Sequence, residues 1–206
     1  KLDIRRQIKV KNTLSFLTNV SKIFRKSIDT NIIAITGSCG KTTLKELLGN
    51  VLSKFSKVSI SPKSYNNKFG VPLSLFNLKQ NDEYGILEVG MDKKGEIDYL
   101  SKIIQPNVGV ITNINYAHAK NFKNIKQIAL AKSEIINNIR PNGFVILNAD
   151  DSFFKLHQKI AIKKKIKIIS FGIKSRKANI KLIDIKPLGK KFKINISLNN
   201  KNKYFL

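Results

Sequence analysis

Residues 32–46 read Ile-Ile-Ala-Ile-Thr-Gly-Ser-Cys-Gly-Lys-Thr-Thr-Leu-Lys-Glu, an apolar run that enters a glycine-bracketed turn and leaves it on a lysine and two threonines. Those residue types in that order can hold phosphate. Glycines let backbone N–H groups close around phosphate oxygens, and a helix opening at Lys41 adds the partial positive charge of its first turn. The loop comprises Gly37, Ser38, Cys39, Gly40, Lys41, Thr42 and Thr43. Lys41 would reach the β- and γ-phosphates of a nucleotide, and the Thr42 hydroxyl would hold Mg²⁺. The common form of the motif has a glycine where this chain has Ile35, so the loop is a shortened variant, T-G-S-x-G-K-T-T.

More chemistry-bearing residues lie far along the chain. Glu88 is the sole acid in the run Gly85-Ile86-Leu87-Glu88-Val89. An acid at the end of a buried strand can hold Mg²⁺ opposite the phosphates, or it can cap a turn. His118 follows the next apolar run, where a single histidine has no ligand set of its own. Lys132 stands in Ala129-Leu130-Ala131-Lys132-Ser133-Glu134, on a helix face that is otherwise apolar. A lysine there either snorkels to solvent or serves the site. Asn66 and Asn67, ahead of Gly70-Val71-Pro72, supply neutral donors and acceptors in a loop facing the same rim.

The elements that must position these groups alternate in type. Residues 1–30 carry apolar positions at Leu14, Leu17, Val20, Ile23 and Phe24, the spacing of an amphipathic helix that packs on the domain or connects it to something upstream. After the loop, Leu44, Leu47, Leu48, Val51, Leu52 and Phe55 predict a helix with one inward face. Strands are predicted at 58–60, 84–89, 108–112, 144–147 and 166–171, and helical segments at 70–78, 95–104 and 152–162. Asn124 caps a further helix that turns Ile125, Ile128, Ala129, Ile135, Ile136 and Ile139 inward and closes at Pro141-Asn142-Gly143. This alternation predicts an α/β fold with a doubly wound, mostly parallel sheet, whose ligands sit at the carboxyl ends of the strands. The tail differs: Ile180, Leu182 and Ile185, then Phe192, Ile194, Ile196 and Leu198, alternate with polar residues and predict an antiparallel β-meander.

Composition narrows the class. The 206 residues have room for one full domain with a sizeable core, and no apolar run is long enough to insert in a bilayer. The single cysteine, Cys39, excludes an internal disulfide framework and fits a reducing cytoplasm. The formal charge is +26, yet 34 of the 39 basic residues are lysine and five are arginine. Nucleic-acid readout favours the arginine fork, and these lysines are spread along the chain among isoleucines and asparagines. They read as solvated positions under a compositional drift, and no nucleic-acid partner is expected.

Six motifs occur in order: T-G-S-x-G-K-T-T-x-K-E, Y-N-N-x-x-G-V-P-L-S-L, L-E-V-G-M-x-x-x-G-E-I, T-N-I-x-x-A-H, I-A-x-A-K-x-E-I and L-N-A-D-D. On these motifs the chain resembles the central ATP-binding domain of the Mur ligase family, specifically over 32–151 and more loosely to Leu206. Within the family, the Asn-Asn-x-x-Gly-Val-Pro and Glu-Val-Gly-Met segments resemble members that join D-alanyl-D-alanine to a UDP-N-acetylmuramoyl-tripeptide in peptidoglycan synthesis.

That resemblance implies ATP and Mg²⁺ as cofactors, and a reaction in which a substrate carboxylate takes the γ-phosphate to become an acyl phosphate. An amine then displaces phosphate through a tetrahedral intermediate. It implies catalytic roles for Lys41, His118 and Lys132, with ATP held by Gly37 to Thr43. Substrate would meet Asn66, Asn67 and Asn113. Thr42 and Glu88 would hold one Mg²⁺, and His118 with Lys132, as a carbamate, a second. Asn148, Asp150 and Asp151 match a family motif to which the residues themselves assign only turn capping. The resemblance also implies that 1–30 connect from an upstream domain, that 31–206 form the central domain, and that a C-terminal ligase domain lies beyond. The 206 residues alone are expected to be monomeric, to bind ATP weakly and to ligate little or nothing. The alternatives are another Mur-type or folylpolyglutamate-like ligase, a basic nucleic-acid-binding NTPase, or a non-catalytic scaffold. The intact Lys41, Thr42, Glu88, His118 and Lys132 speak against the last.

Overall fold

The computed structural model describes residues 8–116, 121–189, 191–199 and 201–205. His118, with its neighbours at 117–120, lies outside them. Nine strands form one sheet in the order β2-β3-β1-β4-β5-β6-β7-β8-β9. They are β1 Asn31–Thr36, β2 Val58–Ile60, β3 Tyr84–Glu88, β4 Val108–Ile111, β5 Phe144–Asn148, β6 Lys167–Gly172, β7 Ile180–Leu188, β8 Lys191–Leu198 and β9 Lys201–Phe205. All pairings from β2 to β7 are parallel, and β7-β8-β9 is an antiparallel meander continuing the same sheet. The helices are α1 Thr13–Lys26, α2 Lys41–Leu52, α3 Gly70–Phe76, α4 Glu96–Ile104, α5 Ile125–Ser133 and α6 Phe154–Lys163. No helix among the described residues is long and apolar enough to cross a membrane.

The central strands read as continuous apolar runs because both their faces are covered. In β1, Ile32 and Ala34 point into the larger core, shared with residues of α3, α4, α5 and α6. Ile35, with Ile86 of β3 and Val110 of β4, points into a smaller core closed by Leu44, Leu48 and Leu52 of α2. The sheet is thus wound on both sides, and among the described residues the loop-bearing helix is the one that covers the smaller core.

The inward face of α2 differs from the expected one. Leu47, Val51 and Phe55 are exposed, Phe55 by 81 %, while Lys45 and Gly49 are buried. A Cβ on Gly49 would stand 2.8 Å from Ile60 Cγ2, so β2 approaches the helix closely there and turns it onto this side. In α1 the buried residues are Thr18, Ser21 and Arg25, with Ile23 exposed, another departure from the apolar spacing. Arg25 is fully buried and donates to the carbonyls of Ile104, Gln105 and Ile28 and to Asn107 Oδ1. It thereby fastens α1 onto the carboxyl end of α4, where a cation is favoured.

Asn124 caps α5 as expected, its side chain accepting from Gln127 N. The helix then tightens into a 3-10 segment, Glu134–Asn138, before Pro141. α6 begins at Phe154, two residues after the expected start. In β7 a register shift between Leu182 and Asp184 absorbs Ile183. The bulge explains why the apolar phase moves from even to odd positions between Leu182 and Ile185.

His157 of α6 is 2 % exposed, and its Nε2 lies 3.1 Å from Ala129 O of α5. Burial pushes its pKa below 6.5, against smaller raising effects of that hydrogen bond and of Asp151. The ring is therefore neutral in the fold and donates through Nε2. The unfolded chain takes up the proton first, so the contribution of His157 is intact above pH 6.5 and is lost as pH falls through the lower folded value. As pH falls below 6.5, wild type should lose stability more steeply than a His157→Gln variant, read from urea midpoints. Equal slopes for the two proteins would remove His157 from the acid response.

Candidate functional site

The carboxyl ends of β1, β3, β4 and β5 gather, among the described residues, the groups named from sequence on one rim. The phosphate loop leaves β1 at Thr36 and enters α2 at Lys41, with Gly40 in the left-handed region as its N-cap. Gly37 has φ +148°, and a Cβ placed on it would fall 1.8 Å from Thr112 Oγ1. Only glycine fits that bend against β4's exit loop.

The loop is clasped by residues 112–115. Ser38 N donates to Asn113 O at 2.9 Å, Cys39 N to Asn113 Oδ1 at 3.1 Å, and Thr112 Oγ1 to Cys39 O at 2.7 Å. Asn113 Nδ2 also donates to Cys39 O. Ser38 Oγ donates to Asn115 O and accepts from Asn115 N. The Ser38 side chain is thus turned into the 112–115 segment and buried, while Cys39 is an exposed free thiol and Thr43 is exposed. Asn113, expected at the substrate, also shapes the phosphate loop.

Two amines converge on one carbonyl. Lys41 Nζ donates to Gly37 O at 3.1 Å and Lys132 Nζ, from α5, to the same oxygen at 2.9 Å. Lys132 is 2 % exposed. Burial first, and the nearby Lys41 charge second, hold its pKa down to about 7. Thr36, beside them at the end of β1, has a fully buried hydroxyl with no hydrogen-bond partner among the described residues. The Lys41 amine over an open glycine loop, next to an orphaned hydroxyl, is a place for a polyanion, with the buried Lys132 amine at the same carbonyl.

Beside the amines, Thr42 Oγ1 donates to Glu88 Oε2 at 2.7 Å and Asn66 Nδ2 to Glu88 Oε1 at 2.7 Å. Glu88 is 2 % exposed, so its charge is held in a buried, neutral-donor cage. An oxygen-only pair of hydroxyl and carboxylate fits Mg²⁺, which takes few protein ligands and completes its shell with phosphate oxygens and water. Asn67 Oδ1 accepts from Phe69 N and Gly70 N where α3 begins. A cleft of about 580 Å³ opens here, lined among others by Lys41, Asn66, Asn67, Phe69, Met91 and Tyr99. The cleft therefore meets the phosphate loop at Lys41 and the carboxylate through Asn66, which donates to Glu88.

Several supporting residues escaped the sequence reading. Lys45 is fully buried, and its Nζ reaches Ser61 O at 2.6 Å, Lys63 O at 2.5 Å and Glu46 Oε1 at 3.2 Å. It ties the loop helix to the segment that leads to Asn66, and the T-x-K-E motif was its only signal. Glu134 accepts from Gly95 N and Asp98 N, capping α4 from the residues just after Lys132. Burial, ahead of those hydrogen bonds, leaves its carboxyl above the usual glutamate value.

A model of the Mur ligase middle domain matches residues 35–205. The chain belongs to the Mur ligase family. This Mur ligase middle domain is 40 % identical over 168 residues to UDP-N-acetylmuramoyl-tripeptide–D-alanyl-D-alanine ligase of Buchnera aphidicola subsp. Acyrthosiphon pisum (strain APS), covering 82 % of this chain and 36 % of the relative. It is 36 % identical over 197 residues to the ligase of the same name from Rickettsia prowazekii (strain Madrid E), covering 94 % and 43 %. Among solved structures, MurF from Acinetobacter baumannii superimposes with a TM-score of 0.86 at 34 % identity, covering 96 % of this chain and 43 % of that one. MurF from Thermotoga maritima, in complex with ADP, shares the fold with a TM-score of 0.82 at 24 % identity. The chain spans less than half the length of these relatives.

Proposed function

We propose that this domain is the ATP-binding part of an ADP-forming ligase that joins D-alanyl-D-alanine to UDP-N-acetylmuramoyl-tripeptide in the cytoplasm, acting as a monomer. The observation that carries the reading is the pair of amines, Lys41 and Lys132, meeting at Gly37 O beside the Thr42–Glu88 pair. Relatives that bear this ligase name at 36–40 % identity support the choice of substrates. Residues 1–30 enter from an upstream domain, with α1 anchored by Arg25, and 31–206 form the middle domain.

In this reading the loop N–H groups and Lys41 cradle the ATP phosphates. The tripeptide carboxylate takes the γ-phosphate, releasing ADP and leaving an acyl phosphate. The D-alanyl-D-alanine amine then adds to the acyl carbon, and phosphate departs as the amide forms. Thr42 and Glu88 would hold Mg²⁺, which supplies charge neutralisation between the two reacting anions. His118 and Lys132 would serve a second Mg²⁺. Asn66 orients Glu88, and Asn67 and the cleft receive the peptide substrate. Supplying the intact protein with candidate amines and following ADP release tests the choice of substrate. Release that depends on D-alanyl-D-alanine is expected; dependence on another amino acid or a folate-like acceptor would favour a different Mur-type ligase.

Lys132 is proposed to act as its carbamate. A neutral amine attacks carbon dioxide at carbon, forming an N–C bond and releasing one proton, and a pKa near 7 leaves part of Lys132 neutral at physiological pH. Protein equilibrated with ¹³C-bicarbonate should show a carbamate carbon resonance that Lys132→Gln lacks. In the intact enzyme, Lys132→Ala should lose activity and regain part of it with a small carboxylate. Full activity without rescue would remove the carbamate from the mechanism.

A further inference from the structure

Asn148, Asp150 and Asp151 end β5 in the motif L-N-A-D-D, and the reaction above gives none of them a part. Two of the three have local duties. Asn148 Oδ1 accepts from Asp150 N, and the Asp150 carboxylate accepts from the backbone of Ile173, Lys174 and Ser175. Asp151 is different. One of its oxygens accepts from Phe153 N at 2.8 Å, ahead of α6. The other accepts from Ile114 N at 2.7 Å, across to the loop that leaves β4.

Ile114 sits between the two residues that grip the phosphate loop. On one side Asn113 holds Ser38 N and both backbone groups of Cys39; on the other Asn115 holds Ser38 Oγ twice. The clasp thus has the phosphate loop in front and the Asp151 carboxylate behind. A carboxylate accepting a backbone N–H is a strong, directional restraint, about twice a neutral hydrogen bond. We infer that Asp151 is a positioning residue for nucleotide, bracing 112–115 so that this segment keeps residues 37–40 in their phosphate-binding shape. The inference rests on the nucleotide reading of the loop.

The test uses the whole chain, amide hydrogen exchange without nucleotide, and ADP titration. Asp151→Ala should speed exchange at Ser38 and Cys39, two loops away from the substitution, and weaken ADP binding about tenfold. Asp150→Ala should leave exchange at Ser38 and Cys39 as in wild type. Asp151→Asn keeps the shape and one accepting oxygen, provides a folded variant if alanine fails to fold, and should fall between wild type and Asp151→Ala. In an Asn113→Ala background, Asp151→Ala should add little, because both act through the same clasp. Faster exchange confined to Phe153 and α6, with Ser38, Cys39 and ADP affinity unchanged, would overturn the inference, as would full additivity with Asn113→Ala. Wild-type protein that binds no ADP would sink the nucleotide reading, while the exchange at Ser38 and Cys39 would still decide the brace.

Discussion

A methyl group on residue 37 is expected to cost this domain its nucleotide. The Gly37→Ala side chain would overlap Thr112 Oγ1 at 1.8 Å and press on Thr112 Cβ and N at 3.0 and 3.1 Å, at φ +148°. Moving Thr112 aside breaks its hydrogen bond to Cys39 O and loosens the clasp on the loop. Backbone in that region costs a residue other than glycine about 1–3 kcal/mol before any clash is counted. With each ~1.4 kcal/mol worth tenfold in affinity, ADP binding should fall about 100-fold or more. Shortening the obstacle should not restore it. Gly37→Ala with Thr112→Ala removes the hydroxyl, yet it leaves the backbone contact, the disfavoured φ and a Cys39 carbonyl short of one donor. Isothermal titration of the three proteins with ADP checks this; near-wild-type affinity in the single variant would mean that the loop does not bind phosphate in this shape.

The largest stability loss is expected at Arg25→Ala. The guanidinium is fully buried, and its acceptors are three backbone carbonyls and Asn107 Oδ1, with the Ile104 contact at 2.6 Å. Burial, then the charge of Arg140, lower its pKa to about 10, so it stays protonated at neutral pH. Truncation leaves the end of α4 without donors and opens a cavity beneath α1. Each buried acceptor left without its donor costs about 1–3 kcal/mol, so the loss is a large share of the roughly 5–15 kcal/mol that holds a domain folded. Urea midpoints should show that loss, and Arg25→Lys should recover part of it. A loss below about 1 kcal/mol would mean that α1 is not anchored to the sheet by this residue.

The parts of this fold that were legible in sequence are those written in local pattern. Buried runs such as Ile86-Leu87-Glu88 and the helix signals around Asn124 and Gly95 placed β3, α4 and the start of α5 within a residue or two, while the expected end of α5 falls in the 3-10 segment and beyond it. The phosphate loop was legible because glycine, lysine and threonine each have a physical task at fixed spacing. What failed depended on remote partners. The face of α2 looked settled by six apolar residues, yet three of them face solvent. Ile60 needs a glycine opposite it, and the Ser61 and Lys63 carbonyls offer Lys45 its acceptors. Arg25 and Lys45 are long cations, which pattern assigns to solvent, and only the carbonyls of distant segments make their burial tolerable. Asp151 was readable only as a turn cap, the task its bond from Phe153 N performs; its second partner, Ile114, lies 37 residues away.

The sheet is continuous in its hydrogen bonding but not in its strength. β7 joins β6 through two residue pairs, Phe171 with Ile180 and Gly172 with Lys181. Within the meander, β7 and β8 run together from Ile180–Leu198 to Leu188–Lys191, and β8 and β9 from Ile194–Phe205 to Leu198–Lys201. A seam so short between two well-knit ladders divides the molecule into cooperative units. The meander can open and close as a hairpin stack while the parallel body, with its phosphate loop, stays folded. Unfolding of this chain is therefore expected in two steps, with a melting curve followed at the meander running ahead of one followed at the nucleotide site.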